Sequence, residues 1–82
     1  MHKITSKEFK QAIELDPSWA SKLTEPVEIT DFCDMSGSSI THLSPLLKFS
    51  GIDKFGNAAT FSNCKNLKVA EGQFAGYVNF SF

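Results

Sequence analysis

Arginine is missing from these 82 residues: all eight basic side chains are lysines, scattered among nine acids for a formal net charge of −1. Nucleic-acid binders gather positive charge into a stripe and use arginine forks on phosphates and base edges. No nucleic-acid partner is therefore expected. Cysteine is scarce too. Cys33 and Cys64 are too few for a disulfide framework, and two free thiols in a reducing cytoplasm are expected instead. No stretch approaches the ~20 apolar residues of a membrane span, and Met1-His2-Lys3-Ile4-Thr5-Ser6-Lys7-Glu8 lacks the apolar run of a signal peptide. The chain is expected to stay in the cytoplasm, off the membrane. CxxC and HxxxH spacings are absent as well. Cys33, Cys64, His2, His42 and Asp34 thus offer no recurrent ligand interval, and neither a metal nor another cofactor is expected.

What remains is the composition of a folding chain, 41% hydrophobic and 21% charged. The length suits one domain over 1–82. A chain this short buries only roughly 60–65% of the surface that its unfolded form exposes. Eight phenylalanines, six of them from Phe49 onward, can offset that handicap, because large rings bury much area per residue.

Residues 1–25 read as a helical segment. Thr5-Ser6-Lys7-Glu8 is a capping box, and Ile4 and Phe9 stand at the two ends of a hydrophobic staple. Phe9, Ala12 and Ile13 form one apolar stripe over a helix 6–15. Pro17 ends it near Asp16. Asp16-Pro17 then serves as a fresh start signal for a short helix at about 17–23, with Trp19 and Leu23 on its buried side.

From residue 26 the periodicity changes to two. Val27-Glu28-Ile29, Ala59-Thr60-Phe61, Leu67-Lys68-Val69 and Val78-Asn79-Phe80-Ser81-Phe82 alternate as half-buried strands do. Polar turn clusters separate them, and Ser50 to Asn57 is the longest. Two segments, Asp34–Leu43 and Phe61–Ala70, each set a small residue (Gly37, Cys64) three positions before a large aliphatic (Ile40, Leu67), as internal repeats would. Ala59-Thr60-Phe61-Ser62-Asn63-Cys64-Lys65-Asn66-Leu67-Lys68-Val69 resembles the bacterial BspA-like class of leucine-rich repeats, in which Ala-x-Phe-x-x-Cys-x-x-Leu recurs. Ser39 to Phe80 also looks like uncharacterised repeat proteins of enterobacteria and their phages. The resemblance covers about half the chain. It implies a stack of short rungs with Phe61, Cys64 and Leu67 inward, and a protein-binding habit. The rung from Val27 to Phe49 departs from it, lacking the cysteine. The expected fold class is α+β: an N-terminal helical cap (1–25) followed by a short leucine-rich-repeat-like β-solenoid, two to three β-rich rungs over 26–82.

Catalysis finds little to work with. A cysteine nucleophile needs a base and a third group that orients it, and Cys33 with His42 would meet that only by an accident of folding. Gly37 leads into a strand, so Ser36-Gly37-Ser38-Ser39 reads as a turn and not as a phosphate loop. Among the aromatics, Phe55 stands apart in the polar stretch Asp53-Lys54-Phe55-Gly56-Asn57, where an exposed ring suits a binding anchor. Phe80 and Phe82 join it as candidate partner-binding residues. The function these features favour is a non-catalytic protein–protein interaction module of bacterial or phage type. Its alternatives are a structural N-terminal piece of a longer solenoid and, third, a small-ligand binder or enzyme. The protein partner stays unidentified, and a homodimer through the 74–82 region is expected.

Overall fold

A computed structural model describes residues 2–80. Its first element, strand β1 (His2–Ile4), lies inside the segment read as helical. It pairs parallel with β2 (Val27–Ile29), His2 against Val27 and Ile4 against Ile29. Parallel neighbours cannot be joined by a tight turn and need a crossover. Helix α1 (Ser6–Leu15) and the 3₁₀ turn Trp19–Lys22 supply it.

The helix begins where its cap dictates. Thr5 Oγ1 accepts from the Glu8 amide at 3.2 Å, and the Glu8 carboxylate accepts from the Thr5 amide at 3.0 Å. The carboxylate of Asp31 takes a further first-turn donor, the Ser6 amide at 2.7 Å, together with the Ser6 hydroxyl at 2.8 Å. Two of the orphan N–H groups of the helix start are thereby satisfied. Phe9 and Ile13 are fully buried, while Leu15 faces water. At the far end the Asp16 amide donates to the Ala12 carbonyl before Pro17 breaks the pattern. The short helix expected after Asp16 is a single 3₁₀ turn. Asp16 Oδ1 holds the Ser18 amide and hydroxyl, and Trp19 and Leu23 pack against the core.

The remaining strands are β3 (Cys33–Asp34), β4 (Leu47–Phe49), β5 (Asn57–Thr60), β6 (Gln73–Phe74) and β7 (Tyr77–Asn79). They form two parallel sheets, of order β1-β2-β4-β6 and β3-β5-β7. Register aligns Ile4, Ile29, Phe49 and Phe74 in one file, and Cys33, Ala59 and Val78 in another. Both files contribute to one core. On the outer face of the first sheet Lys3, Glu28 and Lys48 stand side by side. Glu28 accepts from the Ser50 hydroxyl at 2.6 Å, which with the two lysines holds its carboxyl below the usual range against the cost of desolvation.

Rings tie the layers together. Phe49 stacks on its register partner Phe74 at 5.0 Å between centroids, and Phe61 stacks on Phe80 at 5.4 Å. Edge-to-face contacts of Phe49 with Phe61 and of Phe74 with Phe80 close a four-ring cluster, which Phe9 and Trp19 extend towards the helix. Offset and T-shaped pairs of this kind are favourable beyond the area they bury.

This architecture corrects the expected fold class. The chain is a small α/β fold of one helix and two small parallel sheets, with principal extents of 30, 29 and 19 Å, and not an α+β arrangement of helical cap and β-solenoid. Residues 1–25 do not stand apart as a cap, because β1 is a strand of the first sheet and α1 is a crossover between paired strands. The physical reason is parallel pairing, which binds strand and helix into one βαβ unit. Leu67-Lys68-Val69 also departs from expectation: it makes only an isolated bridge, Val69 to His42. Ile40 and Leu43 are both buried with Thr41 and His42 half-buried between them, so the chain kinks there and does not alternate.

Candidate functional site

Residues 50–56 contain no strand or helix, yet side-chain bonds define their shape. The Asp53 carboxylate accepts from the Phe55 amide at 2.8 Å and from the Asn57 amide at 2.9 Å, and its second oxygen accepts from the Asn57 side chain at 3.2 Å. The backbone adds Asp53 N–H to Asn57 C=O and Gly56 N–H to Asp53 C=O. These donors, the Asn57 amide foremost, hold the Asp53 carboxyl below its ordinary value. Such a loop is an Asx-type turn, in which the side chain replaces a backbone acceptor.

Phe55 sits at its tip, 70% exposed, with Lys54 Nζ 5.2 Å from its ring centroid. Beside it the chain makes a close crossing. A Cβ at Gly76 would lie 2.1 Å from the Gly56 carbonyl oxygen and 3.0 Å from Cγ2 of Ile52. Only glycine fits there. A Cβ at Gly56 would meet the Tyr77 ring at 3.7 Å, and the Tyr77 amide donates to the Gly56 carbonyl. Ile52 and Tyr77 are themselves 56% and 74% exposed. Three large apolar side chains thus surround one rigid crossing, where an ordinary surface scatters them singly.

Of the residues singled out in the sequence, Phe55 is therefore at this surface. Phe80 is half-buried in the ring cluster, stacked on Phe61. Phe82 lies outside the described residues. Ile52 and Tyr77 went unnoticed at the sequence level, since both carry the apolar character that elsewhere in this chain means core. Their signal was local: each stands next to a polar turn or a glycine.

A groove of about 350 Å³ runs between Lys10 and Glu14 of α1 and the Asp34–Ser39 segment. It is no phosphate cradle. The Ser36, Gly37 and Ser38 amides are already donated to Asp34 Oδ1, the Ser62 carbonyl and the Met35 carbonyl. Cys33 and Cys64 are free and fully buried. Burial pushes the Cys33 thiol up to about 12, and it raises Cys64, whose Sγ lies 2.9 Å from the Met35 carbonyl oxygen. A thiol so placed forms no thiolate nucleophile near neutral pH. His42 Nδ1 is 2.7 Å from Thr41 Oγ1, which is also 3.1 Å from the Pro17 carbonyl. The Thr41 amide also donates to the Pro17 carbonyl, at 2.9 Å, so Thr41 ties the kink to the residues just before the 3₁₀ turn. Among the described residues no group of three or more histidine, cysteine or acidic side chains is arranged to hold a metal, and no helix is long and apolar enough to cross a membrane.

No family model, curated protein or solved structure matches this chain.

Proposed function

We propose that the chain is a non-catalytic protein–protein interaction module of the cytoplasm, with Phe55 as its anchor and Ile52 and Tyr77 as flanks. One observation carries the reading: a phenyl ring 70% exposed at the tip of a loop whose shape three carboxylate bonds fix. Aromatic anchors dominate binding energy when they enter a partner's pocket, and a preorganised loop loses little entropy on doing so. Two buried, unpaired thiols suit a reducing compartment. A photo-crosslinking phenylalanine analogue at position 55, compared with the same analogue at the exposed position 15 on α1, tests the proposal in bacterial lysate. A discrete protein adduct is expected at 55 and not at 15, and free Phe55→Ala protein should compete for it poorly. Equal labelling at both positions would count against the anchor.

A further inference from the structure

The loop that carries Phe55 is bonded mainly to itself. Three hydrogen bonds to the Asp53 carboxylate and two along the backbone lie within 53–57. Among the described residues only one hydrogen bond leaves 53–56 for the rest of the fold: the Tyr77 amide donates to the Gly56 carbonyl at 2.9 Å. That carbonyl oxygen is also the atom that a Cβ at Gly76 would meet at 2.1 Å. One oxygen, on the residue next to Phe55, thus takes both the N–H of Tyr77 and the bare Cα of Gly76.

Two glycines meet here for different reasons. Gly56 has a φ of +83°, and a Cβ on it would reach only the Tyr77 ring, at 3.7 Å, so the turn itself asks for glycine. Gly76 has no positive φ, and its requirement is the contact alone. A methyl group at 76 has to displace one side or the other. The corner between β6 and β7 is tied to the core from both directions. The Ala75 amide donates to the carbonyl of Phe49, Phe74 stacks on that fully buried ring, and the amide of fully buried Phe61 donates to the Asn79 carbonyl. The loop is the side that yields, because Ile52 and Phe55 are exposed and the bonds of Asp53 travel with it.

We infer that Gly76 is the positioning residue of the Phe55 surface: Asp53 fixes the shape of the loop, and the contact of Gly76 with the Gly56 carbonyl fixes its aim. The inference rests on the reading of Phe55 as an anchor. Ile52 and Phe55 arrive on the loop and Tyr77 on β7, so their mutual spacing is set at this contact. A methyl at 76 must drive the Gly56 oxygen more than about 1 Å away to reach ordinary contact, beyond the roughly 0.5 Å within which a binding constellation has to be held.

Residual dipolar couplings of the Asp53 to Gly56 amides, together with amide exchange rates, test the inference in two variants. In Gly76→Ala the couplings should still fit the loop's own geometry, at a new orientation to the strands. The Tyr77 amide should exchange roughly five- to tenfold faster as its bond is lost, while the Phe55 and Asn57 amides keep their protection. Asp53→Ala should do the reverse, freeing Phe55 and Asn57 and sparing Tyr77. The yield of adduct from the photo-crosslinking analogue at position 55 should fall several-fold in Gly76→Ala. A loop that keeps its orientation overturns the inference, as does a reoriented loop that gives the same yield. Loss of the cooperative melt in Gly76→Ala overturns it too, by placing the strain in the core. An unmodified chain that gives no adduct removes the anchor reading instead, and the couplings and exchange rates still decide whether Gly76 aims the loop.

Discussion

Thr5 and Asp31 answer for the start of α1 from opposite directions, one beside the helix and one reaching it from beyond β2. Thr5→Ala removes the acceptor of the Glu8 amide, and about 1 kcal/mol of stability should go with it, read from the urea midpoint. That cap was legible because all its atoms belong to four consecutive residues. Gly51 was not: a Cβ there would lie 2.2 Å from Cα of Asp31, a neighbour that only the fold provides. Cys33 gives the residue-scale pH dependence. Its thiol is raised from 9.0 to about 12 by burial. A raised value in the fold means that stability is complete below pH 9 and declines as the pH climbs towards 12, because the unfolded chain ionises first. Between pH 8 and 10.5 the unfolding midpoint should fall more steeply for the native chain than for Cys33→Ala. A thiol reagent should label both cysteines slowly until denaturant is added.

At the scale of elements, phenylalanine does two opposite jobs. Phe49 joins the file on β4 to the helix through Phe9 and to β6 through Phe74. Phe49→Ala should cost about 3–5 kcal/mol, as ring deletions in cores do. Phe55→Ala should leave the melting transition within about 0.5 kcal/mol, as exposed substitutions do. Paired thermal melts check both. Helix 6–15 and the strand at Val27–Ile29 stood out in the sequence, since periodicity there runs long enough or pure enough to register. The two-residue strands β3 and β6 hold too few positions to reveal a period, and their partners, not their composition, make them strands. The repeat-like spacing of Cys64 and Leu67 describes which side chains point inward. It left open how the layers join, which is where the fold departs from the solenoid expectation.

For the whole molecule the parallel pairing has a kinetic consequence. No two neighbouring strands are joined by a hairpin. Every ladder unites residues roughly 19 to 26 positions apart, from His2 with Val27 to Asn57 with Tyr77. Only α1 and a few turns can form from local contacts. The chain must therefore close several loops before its rings gain anything from meeting, and loop entropy is lost before contacts repay it. For its size it should be a slow folder, with a refolding time of milliseconds to seconds, typical of non-local topologies, and not the microseconds of a small helical bundle. Stopped-flow refolding followed through Trp19, which sits against Phe9 at the meeting of helix and sheets, would time the event. Thr5→Ala and Phe49→Ala then separate its stages. A helix formed before docking would make the first slow refolding and the second mainly speed unfolding, so the order of assembly can be read from which limb of the chevron each one moves.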